Sequence, residues 1–352
     1  MSAFSTVSEC PSVKLRSRFL APSETSLWNS FVLSHGGHVF QTVEWGHLSR
    51  RLGWEPHHLV CEDEAGTWQA VAMVLCRSRL MGHWIMGYVP RGPVVLDGRP
   101  QKWTEVLRAL STFARDMGAL VVRVNPLGSL DEKGPEVLMR GGWERAATRE
   151  MHVRTFRLLL GPDEKTLWDG LEHRTRKAIK KAQRAGIEVT KEFKPESIEE
   201  FLTLYEDNAR RLNIAFHARD FIREVWRNFS DKGWVHLFLA RRRGAAVSGL
   251  FLFQYGHTME EMWIGWDAQA KEDRPNQLLH WEVLRWCQQN GVLVYDFGGV
   301  PPEEDGTHGV TFYKSGFGAQ RVDLIGEYDY FPSRLGKLIW KKLRPIVRNT
   351  GT

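Results

Sequence analysis

The sequence has few cysteines, and their spacing shows no metal-binding or redox motif. Its 352 residues include four, Cys10, Cys61, Cys76 and Cys287, which lie far apart without a CxxC pair. This spacing argues against a zinc site or a disulfide framework and favours a reducing compartment. The histidines show no HExxH or similar ligand spacing either, so we expect no metal.

Long apolar runs are also missing. No run approaches the ~20 residues that span a bilayer, and the first 22 residues lack the apolar segment of a signal peptide, so we expect a cytoplasmic protein. An apolar fraction of 42% and a charged fraction of 26% are typical of a globular chain of about two domains. The formal charge of +6 favours a polyanionic partner, such as nucleic acid, phosphate groups or an anionic membrane surface.

One segment of the sequence has the residues expected of a binding or catalytic site. A strand-like run, 292–297, leads into Gly298-Gly299, where the backbone can turn sharply or approach another group closely. After an acidic loop comes Lys314, between Phe312-Tyr313 and a Gly-Phe-Gly run at 316–318. An ammonium near aromatic faces and backbone N–H groups stabilises an anion or a developing oxyanion. The segment predicts a binding or catalytic site, and a solvated lysine on a hairpin is the alternative.

One order of elements occurs twice. Runs 58–75 and 236–253 have the same spacing, and each is typical of a β-hairpin with glycine, Gly66 or Gly244, at the turn. Helical segments precede each hairpin, and an amphipathic helix and a buried strand follow it. The order helix, helix, hairpin, helix, strand, repeated, predicts two similar α/β domains with mixed sheets. We place the first in residues 1–153 plus 323–352 and the second in residues 154–322.

Two helices are strongly basic. We predict that one helix begins at Gly161-Pro162 and ends at Gly186, with six cations within eleven residues: Arg174, Arg176, Lys177, Lys180, Lys181 and Arg184. These cations suit nucleic-acid phosphates, and a solvated helix face is the alternative. A helix from Leu335 to Arg348 is apolar and cationic as well. We expect it to pack on the first domain, with an anionic membrane surface as the alternative.

Four motifs carry a family resemblance: GYVPRGP at 87–93, PNQLLHWE at 275–282, YDFGG at 295–299 and YKSGFG at 313–318. With the tandem domains, they resemble the Fem family, the FemA/FemX/MurM-type aminoacyltransferases of peptidoglycan bridge synthesis. The chain has no room for a coiled-coil arm and resembles the shorter FemX-like type. The resemblance implies an α/β (α+β) fold of two tandem GCN5-related N-acetyltransferase-like domains. It also implies aminoacyl-tRNA as co-substrate, no further cofactor, and an acceptor amine in a UDP-linked or lipid-linked muropeptide at the inner face of the membrane.

The resemblance also implies roles for single residues. Lys314 matches the motif lysine, thought to stabilise charge on the tRNA end or the transition state, and Tyr313 replaces the more usual phenylalanine. Arg211 matches an arginine that grips the precursor's phosphates, with Arg210 as the alternative. Two positions depart from the pattern. Ser49, next to Arg50, stands where a lysine is common, and Asn125 replaces a strand-end aspartate that contacts the stem peptide.

The remaining implied contacts fall into two sets. Further precursor contacts are expected in the GYVPRGP and YDFGG motifs, at Tyr88, Arg91, Asp296, Gly298 and Gly299. Contacts with tRNA are expected on the basic helix, at Arg174, Lys177, Lys180 and Lys181.

The implied reaction converts an ester to an amide, which needs orientation, deprotonation of the amine and oxyanion stabilisation. No Ser-His-Asp or Cys-His arrangement is evident, consistent with direct attack. Asp296 and Glu282 are candidate proton acceptors, and a tRNA ribose hydroxyl is the substitute that the resemblance suggests.

Two other functions stay open from the sequence. An acyl-CoA N-acyltransferase would carry a Gly-x-Gly loop at a helix start, whereas the residues after Gly316-Phe317-Gly318 do not look helical. A non-catalytic RNA-binding module is the second.

Overall fold

The computed structural model of the chain describes residues 14–80, 83–97, 99–128, 134–214, 216–300 and 309–349. The acidic loop noted above, at 301–308, and Cys10 lie outside these ranges. Within them the strands form two mixed sheets, one of eight strands and one of seven.

The first sheet has the order β1-β2-β3-β4-β6-β15-β7, with β5 paired to β3. Its strands are β1 (Arg16–Phe19), β2 (Trp54–Glu62), β3 (Trp68–Leu80), β4 (His83–Val89), β5 (Val94–Val95), β6 (Val121–Val124), β7 (Glu144–Arg145) and β15 (Tyr328–Tyr330).

The second sheet has the order β14-β8-β13-β12-β11-β10-β9. Its strands are β8 (Arg154–Leu159), β9 (Ile187–Glu192), β10 (Val235–Arg242), β11 (Ala245–Tyr255), β12 (Thr258–Trp266), β13 (Val294–Gly299) and β14 (Gln320–Asp323).

Helices cover both sheets. They are α1 (Thr25–Ser34), α2 (Val43–Arg51), α3 (Pro100–Asp116), α4 (Gly134–Arg140), α5 (Glu164–Gly170), α6 (His173–Arg184), α7 (Pro195–Leu212), α8 (Arg219–Phe229), α9 (Pro275–Gln289), α10 (Gly309–Ser315) and α11 (Arg334–Asn349). In the described ranges, no helix is both long and apolar enough to cross a bilayer.

The two sheets share one construction, and the predicted fold class is confirmed. In each, an antiparallel hairpin leads to a strand that pairs in parallel with a later strand after a helical crossover: β4 with β6, and β12 with β13. The hairpin turns contain Gly66 and Gly244, both with φ near +80° (79° and 83°), a region that favours glycine. The β12–β13 pairing ends at Glu260 and Asp296, although both strands continue beyond that point.

An aromatic core joins the two domains. Trp45 and Phe40 of the first domain pack against Phe229 and Phe253 of the second, with Trp45 stacked on Phe229 at a centroid distance of 5.9 Å. Helix α8 contributes because its apolar residues recur at helical spacing and face this core: Ile222, Val225, Trp226 and Phe229. The domains are therefore packed as one body through a continuous apolar interface.

The basic helix predicted from residue 162 to 185 is wrong as a single helix. It is divided into α5 and α6, because Leu171 adopts an extended conformation (φ −70°, ψ 144°) and buries its side chain. The N–H of Glu172 then donates to the carbonyl of Gly316 at 2.9 Å, which ties the start of α6 to the end of α10. The hairpin alternative for Lys314 is also wrong, since this residue lies in α10.

The C-terminal helix α11 packs on the first sheet. Trp340 is buried with Ile85, Met86 and Val121, whereas Leu335 and Leu338 on the outer face are exposed.

A buried ion pair crosses the domain interface. Arg91, before the cis-proline at 93, places Nη2 2.8 Å from Oε1 of Glu260, and each side chain is only 2% exposed. His38 Nε2 lies 3.3 Å from the other carboxylate oxygen. Burial opposes ionisation of Glu260, but Arg91 and then His38 outweigh burial and hold the pKa of Glu260 below its ordinary value. Glu260 is therefore a carboxylate fixed by the first domain.

Replacing Arg91 should show how much stability is lost when the buried carboxylate of Glu260 has no guanidinium partner. Arg91→Met leaves the Glu260 carboxylate without its guanidinium, and the loss of one partner of a buried pair costs about 3–5 kcal/mol. Urea denaturation should show this fall in the free energy of unfolding. Arg50→Met, which removes an exposed pair with Glu55, is the control and should change it little. Equal effects of the two changes would contradict the structural role of the interface pair.

Buried histidines should make the fold sensitive to mild acid. Burial lowers the pKa of His58 to about 4, below the roughly 6.5 of an exposed imidazole. Between these values the unfolded chain binds a proton that the folded chain does not, so the free energy of unfolding falls as the pH drops from about 6.5 towards 4. His58→Gln should flatten this slope in urea titrations at a series of pH values. An unchanged slope in this variant would contradict the prediction.

Candidate functional site

A cleft of about 860 Å³ lies on the second domain between α6, α10 and the segment that leads into α9. Its wall combines cations with aromatic rings. The cations are Arg174, Lys177, Lys181, Lys271 and Arg274, and the rings are those of Trp266, Phe312, Tyr313 and Phe317. Such a surface suits a polyanion whose bases or other flat groups stack on side chains.

Helix α6 supplies most of this charge, because its turns present lysines on two sides. Lys177 is exposed and borders both the cleft and a neighbouring depression of about 550 Å³, which Lys180 also lines. Lys181 borders the cleft, with Glu272 3.7 Å away. Three of the four residues predicted to contact tRNA therefore line the cleft, and Lys180 lies beside it.

Arg174 is held by the protein itself. Its guanidinium lies over the Phe312 ring, 3.2 Å from the centroid, and donates to the Phe312 carbonyl at 2.7 Å. It also pairs with Glu172 at 2.7 Å. Arg174 thus joins α6 to α10 and fixes one wall of the cleft.

The N-terminus of α9 forms the opposite wall. Arg274 precedes the helix in a left-handed conformation (φ 58°), and Pro275 begins it. The first turn of a helix carries partial positive charge, which adds to that of Arg274 and Lys271.

The Gly-x-Gly loop expected of an acyl-CoA N-acyltransferase is missing from the segment between β12 and α9, which contains no glycine. The residues after Gly316-Phe317-Gly318 form strand β14, so the expectation that they do not start a helix is confirmed.

Arg211 reaches this cleft through Trp266. At the end of α7, its guanidinium lies 4.0 Å from the centroid of the Trp266 ring and donates to Oδ1 of Asn208. Trp266 in turn lines the cleft. Arg210 instead points to carboxylates of its own helix, Glu206 at 3.1 Å and Asp207 at 3.4 Å.

Lys314 is buried, and its ammonium group is engaged in hydrogen bonds within the protein. Its ammonium donates to the carbonyls of Phe297, Gly298 and Gly299, the last two at 3.0 Å and 2.9 Å. These carbonyls belong to the end of β13, where pairing with β12 has stopped. The neighbouring Tyr313 lines the cleft, while Lys314 extends to the strand end. A role for Lys314 in charge stabilisation stays a prediction, and the contacts seen are those of a cation that holds the strand end in place.

The YDFGG motif is tightly constrained. Asp296 accepts from Thr155 Oγ1, from Arg157 Nε at 2.8 Å and from the N–H of Gly298 at 2.9 Å. Gly298 has φ +70°, and a Cβ there would lie 2.5 Å from the carbonyl oxygen of Glu261. A Cβ on Gly299 would lie 2.6 Å from that of His152. These contacts explain why two glycines are needed, and they engage Asp296 within the fold.

The remaining predicted residues lie in the first domain or at its interface. Arg91 is the buried partner of Glu260, and Tyr88 donates to Glu327 at 3.2 Å. Asn125 is buried at the end of β6, and its Oδ1 has no hydrogen-bond partner in the described part of the chain. Arg50 is exposed beside Glu55. The structure therefore does not bring these residues to the cleft.

Glu282, the other candidate proton acceptor, pairs with Arg285 on α9 at 2.8 Å and is absent from the residues that line the cleft.

Sequence reasoning missed one chain of hydrogen bonds. His280 of α9 lies between Glu261 of β12, at 2.8 Å, and the hydroxyl of Tyr313, at 2.9 Å. The three residues are separated by 19 and 33 positions, and no spacing rule connects them. The resemblance named Tyr313 alone, although His280 lies in its PNQLLHWE motif.

Comparisons with known proteins agree with this architecture. Residues 171–315 match the acetyltransferase (GNAT) domain, and residues 24–138 match the FemAB family. The UDP-N-acetylmuramoylpentapeptide-lysine N(6)-alanyltransferase of Weissella viridescens is 24% identical over 286 residues, 76% of this chain and 81% of the relative. The lipid II:glycine glycyltransferase of a Staphylococcus epidermidis strain is 19% identical over 397 residues, 90% of this chain and 94% of the relative. The crystal structure of FemX matches with a TM-score of 0.80 at 17% identity, covering 92% of this chain and 100% of FemX.

Fold and site together define a tandem protein of the GCN5-related N-acetyltransferase type. Within that class, the chain is similar to the FemAB family, which residues 24–138 match, and it shares the fold of FemX.

The contacts of Lys314 predict a stability effect apart from any catalytic one. Lys314→Met removes the donor from carbonyls that are buried at the end of β13, so the free energy of unfolding should fall by at least about 2 kcal/mol. Urea denaturation measures this fall, and Lys177→Met, at an exposed position, is the matched control. If the two variants were equally stable, the ammonium would not be needed to hold the strand end.

Proposed function

We propose that this protein transfers an amino acid from aminoacyl-tRNA to the side-chain amine of the diamino acid in a peptidoglycan precursor. The names of the relatives support the acceptor, since one acts on a UDP-linked pentapeptide lysine and the other on lipid II. The observation that carries the donor is the cleft, in which five cations lie around four aromatic rings, one of them Trp266 at the end of β12.

The cleft fits a single-stranded RNA end better than a compact anion. Its volume of about 860 Å³ exceeds what one phosphate needs, and its cations are spread along α6 and around the start of α9. Bases stack on aromatic side chains whatever their sequence, and phosphates pair with lysine and arginine. The continuation of α6 to Lys180 and Arg184 provides charge for nucleotides beyond the cleft.

The chemistry requires little beyond this positioning. An ester donor and an amine acceptor form an amide directly, so no acyl-enzyme and no cofactor other than the charged tRNA are needed. Holding the two reactants in contact can supply roughly 7–11 kcal/mol of barrier lowering. The cations of the cleft favour the neutral form of a nearby amine, which is the form that attacks.

Arg211 is the proposed contact for the phosphates of the precursor. It lies against Trp266, which lines the donor cleft. Its contacts with Asn208 and Trp266 hold the guanidinium in a fixed orientation. A phosphate bound there would place the precursor next to the donor. The outer face of α11, with exposed Leu335 and Leu338 beside Arg334, Lys341 and Lys342, suits a protein that works at the inner membrane face.

The decisive experiment combines the purified protein with a panel of charged tRNAs and with UDP-linked or lipid-linked muropeptide. Amide formation, detected by mass spectrometry, supports the proposal. Turnover of acetyl-CoA with the same acceptors would favour the acyl-CoA alternative, and RNA binding without product would favour a non-catalytic module.

Charge removal in the cleft gives a second test. Lys177→Gln/Lys181→Gln should raise the KM for charged tRNA and lower the salt dependence of tRNA binding by a slope of about 0.7 for each phosphate that is no longer neutralised. Filter binding at a series of salt concentrations measures the slope. Lys165→Gln is the control, because Lys165 is exposed on α5 and pairs with Asp169 outside the cleft. If the double variant and Lys165→Gln acted alike, the cleft would not be the RNA site.

A further inference from the structure

Three side chains from separate elements form a continuous path of hydrogen bonds into the cleft. Glu261 of β12 contacts His280 Nε2 at 2.8 Å, and His280 Nδ1 contacts the hydroxyl of Tyr313 at 2.9 Å. Nδ1 also lies 2.8 Å from the backbone carbonyl of Asn276. Tyr313 is half-buried and lines the cleft proposed to hold the donor.

The partners of His280 allow one Nδ1 hydrogen to serve two acceptors. A carbonyl oxygen only accepts, so the contact with Asn276 is a hydrogen bond when Nδ1 carries a hydrogen. In that tautomer the same Nδ1–H is shared with the Tyr313 oxygen, and the hydroxyl hydrogen of Tyr313 is not used in this contact. With the hydrogen on Nε2 instead, the Tyr313 hydroxyl donates to Nδ1.

The surroundings keep this arrangement in place. The His280 ring is 1% exposed and is stacked on Phe297, with 5.6 Å between centroids and an interplanar angle of 11°. The Phe317 ring packs against it as well, with 5.4 Å between centroids and an angle of 40°. Burial, and then the charge of Glu261, raise the pKa of the Tyr313 phenol well above its ordinary value. The phenol stays protonated at neutral pH, as a proton donor must.

We propose that Tyr313 donates a proton to the departing ribose oxygen of the aminoacyl ester, and that His280 and Glu261 are positioning residues that orient and resupply it. This inference rests on the proposed function and deepens it. It also gives a role to the hydroxyl that distinguishes Tyr313 from the phenylalanine more usual in the motif.

The proton transfer completes a balanced reaction. The amine nitrogen forms a bond to the ester carbon, and the carbonyl electron pair moves to oxygen. When that pair returns, the bond between carbon and the ribose oxygen breaks, and this oxygen takes the hydroxyl proton of Tyr313. Nδ1–H of His280 reprotonates the tyrosinate. The proton lost by the attacking amine returns to the Tyr313 oxygen from the cleft, the imidazole regains its hydrogen, and an ester and an amine have become an amide and an alcohol.

The test compares two donors that differ in the leaving atom. One is an aminoacyl minihelix RNA with the natural ester, and the other has sulfur in place of the bridging oxygen at the terminal adenosine. Tyr313→Phe should slow kcat with the ester roughly 10²-fold, as expected for loss of a general acid. With the sulfur donor it should lie within about threefold of the wild type, because a thiol with a pKa near about 8.5 leaves as the anion.

Two further variants separate catalysis from packing. His280→Asn in the Tyr313→Phe background should slow the ester reaction no further than Tyr313→Phe alone, since both changes interrupt one path. Tyr295→Phe is the matched control. Tyr295 is a buried tyrosine of the core whose hydroxyl has no partner in the described part of the chain, and its change should leave both donors unaffected. Thermal unfolding confirms that each variant is folded.

The outcomes are distinguishable. Equal slowing of both donors by Tyr313→Phe would overturn the inference, because an effect on packing, binding or the oxyanion does not depend on the leaving atom. If wild-type protein formed no amide from any charged tRNA, the proposed function would fail, and the inference with it. If Tyr313→Phe slows the reaction of the ester donor and leaves that of the sulfur donor nearly unchanged, the result supports both the proposed function and the inference.

Discussion

The geometry of the second domain follows from one constraint, the end of parallel pairing between β12 and β13. Beyond Glu260 and Asp296 the ladder between these strands is not continued, and the carbonyls of residues 297–299 need donors from elsewhere in the fold, as Thr155 Oγ1 provides for Gly298. A buried carbonyl without a donor is costly. The ammonium of Lys314 meets these three carbonyls and thereby ties α10 to the strand end. That contact places Tyr313 and Phe317 in the cleft wall.

The interface between the domains fixes the same region from the other side. Glu260, the last residue of β12 that pairs with β13, is bound by Arg91 of the first domain, and aromatic residues of both domains form one core. The large number of tryptophans in the sequence finds an explanation here, since Trp28, Trp45, Trp226 and Trp263 all belong to this shared core. The cleft is therefore built on a strand whose position the first domain determines.

Local rules made part of the fold and part of the site predictable from the sequence. Hairpins with Gly66 and Gly244 could be inferred because turn chemistry acts within short segments, and the motif around Lys314 identified the right segment. The break at Leu171 could not be inferred from the apolar pattern, because the helical period continues through it, and the bond from Glu172 to Gly316 joins residues far apart in the sequence. The hydrogen bonds of His280 were hidden for the same reason, since they exist only when β12, α9 and α10 are packed together.

On the proposed function, the charges of the cleft act twice. Lys177, Lys181, Lys271 and Arg274 attract the phosphates of the donor, and the same positive field disfavours the protonated form of an approaching ammonium. Phosphates of the bound RNA neutralise part of that field, so the cations nearest the ester matter most for deprotonation and the outer ones for binding. Arg211 lies against Trp266, whose ring lines the cleft, so a precursor phosphate bound there would be held beside the donor.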